Sequence, residues 1–364
     1  MSFVFKNQNF ILRKNRFCLI ARDTVLVDAL RQEILEYEVT NKLASRFERF
    51  MNNLSAGFEG GEGQELGVWV SGFYGSGKSS FTNYLGFALD PSRKVGSDRF
   101  LTLLQNQLPS QPLRQQLTLL AKNHSATLIM VDLASVAAAD SKSQGISRSV
   151  YNKVMEWACY SKDEKIALLE LKVEREGRKD ELGSFIKDLG CDWDQERNDL
   201  LTSNTIAGEV PAKMYPSIWR DGDHFYNVRI DSAYGEDERL RQMLQLIKSR
   251  TGSPRALFIL DEVGQTIDGT DRLITNLQGF TENLKKISQG KAWVICTAPQ
   301  TLPVSGPLFK LKDRFPESLR VDIEPATSAR SPIGVSKGSV SKMAKEAQQA
   351  GWLASDGRKY TLVS

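Results

Sequence analysis

Residues Gly72-Phe73-Tyr74-Gly75-Ser76-Gly77-Lys78-Ser79 constrain this chain more than any other stretch, because they fit the spacing G-x-x-x-x-G-K-[ST]. The apolar run Val68-Trp69-Val70-Ser71 before them reads as a buried strand. Phe81, Tyr84, Leu85 and Ala88 after them recur at helical spacing. Strand, glycine loop and helix start form the setting in which such a P-loop holds a polyphosphate. The glycines let the backbone curl closely, so that N–H groups and the helix N-terminus face the negative charge. The pattern assigns phosphate binding to Gly72, Phe73, Tyr74, Gly75, Ser76, Gly77, Lys78, Ser79 and Ser80. Within it Lys78 reaches the β- and γ-phosphates, and the Ser79 hydroxyl coordinates Mg2+.

A second signal lies far along the chain. Arg255-Ala256-Leu257-Phe258-Ile259-Leu260-Asp261-Glu262 is an apolar run ending in two acids. Behind a P-loop, that pattern assigns Mg2+ to Asp261 and gives Glu262 the task of orienting and polarising the attacking water. Thr127-Leu128-Ile129-Met130-Val131-Asp132 also ends in an acid and competes for the metal role. Leu133 follows it, however, so it reads as a structural strand ending near the nucleotide. Ala292 to Thr297 makes a fourth strand whose terminal Thr297, with Gln300 as neighbour, sits where a sensor of the γ-phosphate is expected. Leu319 to Ile323 reads as a fifth. The predicted fold is therefore α/β: a P-loop NTPase with a parallel five-stranded sheet and ligands at the strand C-termini.

The order of these parts resembles the AAA+ class. In that class the fourth strand carries a sensor, and an arginine just before the fifth strand reaches into a neighbouring subunit's site. Arg314 matches that position, and a cation arriving there neutralises charge on the transferred phosphoryl group. The plainer reading pairs Arg314 with Asp313 or Glu317.

The remaining segments divide the chain into three. Residues 1–56 read as an N-terminal arm followed by helices, with Thr40 as a cap and Leu43, Phe47, Phe50, Met51 and Leu54 on one apolar stripe. Residues 57–325 form the core. Gly57 to Gly63, four glycines in seven residues, reads as a flexible linker into the P-loop strand. A charged, mostly helical insertion occupies 147–250, and Pro211 to His224 inside it looks like a loop. Residues 326–364 form a small helix-hairpin tail resembling half of a winged-helix module, with Lys337, Lys342, Lys345, Arg358 and Lys359 available for DNA phosphates. A net charge of +4 is too small to argue for nucleic acid by itself. Four scattered cysteines and two distant histidines support neither a disulfide framework nor a structural zinc site. With no apolar stretch of membrane-spanning length and no signal peptide, the expectation is a cytoplasmic protein that engages no membrane.

Three stretches together resemble the P-loop ATPase of BREX bacteriophage-exclusion systems, the BrxC/PglY type. They are Leu35-Glu36-Tyr37-Glu38-Val39-Thr40, Gly67 to Ser79, and Leu260-Asp261-Glu262-Val263-Gly264-Gln265. The similarity runs from about residue 25 to 325. The resemblance implies ATP hydrolysis with Mg2+ in antiphage defence and self-assembly around nucleotide. It also implies work on DNA alongside the system's methyltransferase and phosphatase-like partners. Family members are usually far longer, and a full AAA+ helical lid has no room here. A nucleotide-gated scaffold, binding ATP to control assembly with little turnover, is the alternative. Other P-loop classes fit less well: an arginine-rich kinase lid, the Leu-Ser-Gly-Gly-Gln of transporter ATPases and the Asn-Lys-x-Asp of GTPases are all missing.

Overall fold

The computed structural model describes residues 24–60, 67–72, 76–133, 145–190, 192–197, 206–227, 235–267, 270–303, 305–321, 353–355 and 360–362. The expected N-terminal arm, the tail helix and Phe73, Tyr74 and Gly75 lie outside them.

Five strands form one parallel sheet: β1 (Gly67–Ser71), β4 (Thr127–Asp132), β5 (Ala256–Asp261), β6 (Ala292–Ala298) and β7 (Glu317–Arg320), in the order β4-β5-β6-β1-β7. Five strands are present as expected, the fifth starting at Glu317, two residues before the expected Leu319, and the parallel pairing is continuous across the sheet. Both faces are apolar, as a parallel sheet covered on both sides requires. Val68, Val70, Leu128, Leu257, Ile259, Trp293 and Ile295 point to one face. Trp69, Ile129, Val131, Phe258, Leu260, Val294 and Cys296 point to the other.

The first face is covered by α1 (Thr24–Leu35), α2 (Asn41–Gly60), α3 (Lys78–Leu89), α4 (Phe100–Gln107) and α5 (Gln111–Asn123). The α2 stripe of Phe47, Phe50, Met51 and Leu54 is buried there as its spacing predicts. Thr40 accepts a hydrogen bond from Leu43 N at 3.3 Å and caps α2. The Tyr84 hydroxyl on α3 donates to Glu33 on α1 at 2.9 Å, tying these two helices together. Before α4 the chain forms a short antiparallel ribbon, β2 (Lys94–Val95) with β3 (Asp98–Arg99). The outer edge of β4 is closed by side chains. Asp90 accepts from Leu128 N at 3.1 Å, and Arg93 donates to the Leu128 carbonyl at 3.3 Å.

The second face carries α6 (Ile146–Trp157), α12 (Glu236–Thr251) and α14 (Asp271–Ser288). The two ends of the expected insertion are therefore part of the sheet's covering layer. Between them run α7 (Glu164–Arg175), α8 (Lys179–Leu189), α9 (Trp193–Glu196), α10 (Ile206–Met214) and α11 (Gly222–Asn227). These build small cores of their own around Leu169, Val173, Val210, Met214 and Tyr215, and around Ile166 and Phe225.

Two expectations are corrected. The Gly57–Gly63 linker does not begin at Gly57, because α2 runs on to Gly60. A Cβ built at Gly57 would come within 1.7 Å of the Trp293 indole. The glycine serves close packing of helix on sheet rather than flexibility. Pro211 to His224 is not one loop either. Pro211 lies inside α10, and Val210, Met214 and Tyr215 are buried in the helical core. In the separate C-terminal unit, the expected hairpin is present as β8 (Leu353–Ser355) paired antiparallel with β9 (Tyr360–Leu362). No helix among the described residues is long and apolar enough to cross a membrane.

Candidate functional site

The C-terminal ends of β1, β5 and β6 bring together residues that are far apart in sequence. α3 starts at Lys78, and its N-cap, Gly77, has φ 84° and offers no side chain to the helix's first amides. That left-handed turn suits glycine. Among the described residues, a Cβ there would meet nothing within 4 Å. Backbone amides at such a helix start are where an anion can be held.

Alternation along β5 and β6 sets the other wall. Asp261 continues the row of Leu257 and Ile259, and Thr297 continues the row of Trp293 and Ile295, so both lie on the face that α3 covers. The register pairs Leu260 with Cys296, which makes Asp261 and Thr297 neighbours one residue further on. Ser79 Oγ donates to Asp261 Oδ1 at 3.3 Å. Lys78 Nζ stands 3.7 Å from Glu262 Oε1, with side chains 6% and 21% exposed. The Thr297 hydroxyl donates to Asp261 Oδ1 and accepts from Glu262 N–H at 3.0 Å. Among the described residues, two buried oxygens, Ser76 Oγ and Glu262 Oε2, have no hydrogen-bond partner. Orphaned acceptors beside an uncapped helix start are what a bound phosphate, metal and water would satisfy.

The donor set also fits Mg2+. Two ligands on adjacent corners of an octahedron with metal–oxygen distances near 2.1 Å lie about 3 Å apart. The Ser79–Asp261 oxygen separation of 3.3 Å is close to that. Both groups are hard oxygen donors, as this cation requires.

The other expected residues fall into place less uniformly. Ser80 is half-buried on the first turn of α3. Asp132, at the end of the edge strand, is in register with Asp261. Gln300 contributes its carbonyl, which accepts from Trp69 Nε1 at 3.0 Å and so fixes the chain leaving β6. Arg314 does not join the cluster. Its carbonyl packs against Gly67, where a Cβ would come within 2.1 Å of that oxygen. Arg314 therefore sits at the start of β1, about 13 Å along the strand from the glycine loop at 3.3 Å per residue. Its guanidinium donates to Glu282 on α14 at 3.0 Å.

The backbone at Glu262 has φ 58°, which nothing in the residue pattern signals. Few residues other than glycine adopt that conformation, and such strain concentrates at functional sites. No family model and no solved structure matches the chain. The family resemblance accordingly rests on the motif residues themselves.

Proposed function

We propose that the chain is a P-loop triphosphatase that binds ATP with Mg2+ and hydrolyses the β–γ bond. The convergence of Lys78 and Ser79 with Asp261 and Glu262, at 3.7 Å and 3.3 Å, is the observation that carries this reading. In it, the backbone amides at the start of α3 and the Lys78 ammonium bind the phosphates, and Ser79 and Asp261 hold the metal, Asp261 directly or through water. The metal, when bound, neutralises charge that builds on the β- and γ-phosphate oxygens. Glu262 accepts a hydrogen bond from the attacking water and takes its proton as the new P–O bond forms. The bond to the β–γ bridging oxygen breaks, ADP leaves with that oxygen, and the proton passes to solvent. The low exposure of Lys78 and Thr297, 5% and 0%, strengthens each of these charge interactions by keeping water away.

The wider role we propose is that of the BREX ATPase that the motif stretches resemble. Hydrolysis would then be coupled to self-assembly or remodelling on DNA with the system's methyltransferase and phosphatase-like components. One observation favours the nucleotide-gated scaffold as a second reading. Arg314 lies at the opposite end of β1 from Lys78 and is engaged by Glu282. In the AAA+ arrangement that Arg314 matches, the arginine serves a neighbouring copy's site, so turnover would depend on assembly.

Equilibrium binding of ATP with Mg2+, beside a phosphate-release assay, tests the proposal. The wild type should bind and release phosphate. Lys78→Ala should weaken binding by about 10- to 100-fold, the scale of one charge-assisted hydrogen bond. Equal binding by both proteins would overturn the site. Binding with ATP-dependent assembly but no turnover would favour the scaffold.

A further inference from the structure

We infer that Thr297 is a positioning residue that holds Glu262 in its left-handed turn and makes no contact with phosphate. This rests on the triphosphatase reading and changes the role expected for Thr297 within it. A threonine hydroxyl has one proton to donate. Here that proton goes to Asp261 Oδ1, while the oxygen accepts from Glu262 N–H at 3.0 Å. The residue is fully buried, so its donor is already spent inside the protein.

The demand for such a residue comes from the backbone of Glu262. A non-glycine residue at φ 58° is strained and persists only where its surroundings over-determine it. The surroundings here are specific. Glu262 N–H is shared between Thr297 Oγ1 and Asp261 Oδ1, the latter at 3.2 Å. The Glu262 carbonyl accepts from the Thr266 amide and hydroxyl at 3.3 and 3.1 Å, which starts the short helix α13 (Val263–Ile267). Gly264 lets that helix sit on the end of β6, since a Cβ there would come within 2.7 Å of the Ala298 Cβ. The result is a sharp turn from strand to helix that presents the Glu262 carboxylate to Lys78. Removing the hydroxyl takes away the nearer of the two acceptors of that amide and the group that fixes Asp261 Oδ1 beside it. The turn is then free to relax toward negative φ, and the carboxylate swings out of line.

Thr297→Val keeps the branched shape and removes the hydroxyl, whereas Thr297→Ser keeps the hydroxyl. Thr297→Val should lower kcat by about 100-fold, as expected when a general base is misplaced. The affinities for ATP and ADP should change by less than about threefold, because only an interaction made in the transition state is lost. Thr297→Ser should restore most of the rate. Amide hydrogen exchange over the segment containing Glu262 should lose protection in Thr297→Val and keep it in Thr297→Ser, with no nucleotide present.

Three results would overturn the inference: unchanged exchange in Thr297→Val, a selective loss of ATP over ADP affinity, or failure of serine to rescue. A wild type that releases no phosphate would instead defeat the triphosphatase reading, and the exchange measurement would still decide the role of Thr297 in holding the turn.

Discussion

Lys78 Nζ and Glu262 Oε1 face each other at 3.7 Å, although one residue opens the first helix after β1 and the other ends β5. A cation and an anion held this close, both poorly exposed, usually pair to satisfy each other. Among the described residues, the second carboxylate oxygen of Glu262 is left without a partner, and so is the Ser76 hydroxyl ahead of α3. The pair is an incomplete site rather than a closed salt bridge. That incompleteness is what the proposed phosphate and water would fill.

The Ser79 hydroxyl lies 3.3 Å from Asp261 Oδ1, and removing it should show as a change in metal demand. Ser79→Ala should raise the Mg2+ concentration needed for half-maximal phosphate release by about 10-fold, the scale of one lost polar interaction. A Mg2+ titration at fixed ATP reads this directly. An unchanged midpoint would remove Ser79 from the metal site.

Two helical glycines should respond oppositely to alanine. At Gly57 a Cβ would strike the buried Trp293 ring, so Gly57→Ala should lower stability, the overpacking cost of about 1–3 kcal/mol exceeding the gain in helix propensity. At Gly279, inside α14, a Cβ meets nothing within 4 Å. Gly279→Ala should therefore stabilise by up to about 1 kcal/mol. Chemical denaturation of the two variants beside the wild type checks both signs.

Glu174 supplies a pH-dependent contribution outside the site. Burial alone would raise its pKa, but hydrogen bonds from Arg250, Lys179 and Tyr160 outweigh that and hold the carboxyl down at about 2. The unfolded chain titrates near the ordinary value of about 4.3. Stability from this group is therefore full above that value and is lost as pH falls toward the folded value. Wild type should be more stable than Glu174→Gln at neutral pH, and the gap should close between about pH 4.3 and 2. A gap that stays constant through that range would contradict the assignment.

Much of the architecture is legible in the sequence because the strands are short apolar runs with clear ends. Thr127–Asp132 and Ala256–Asp261 occupy the expected positions, and Asp271–Ser288 is the expected helix. Lys78, Ser79, Asp261 and Glu262 could be nominated together because each belongs to a spacing pattern with its own chemistry. What could not be read depends on partners remote in the chain. Gly57 looks like a linker residue until Trp293 lies against it, and Pro211 looks like a breaker until Val210 and Met214 bury themselves on either side. Arg314 also reaches Glu282, one helix earlier, a contact that no local pattern announces. The left-handed turn at Glu262 has no signature in residue type, since glutamate rarely adopts it.

The most direct measurement is nucleotide retention beside phosphate release in Glu262→Gln. The amide keeps the size of the side chain but cannot take a proton from water. The account predicts that this variant binds ATP with Mg2+ as the wild type does, while phosphate release falls by about 100-fold or more. A Glu262→Gln protein that releases phosphate at the wild-type rate, or a wild type that binds no ATP, would contradict it.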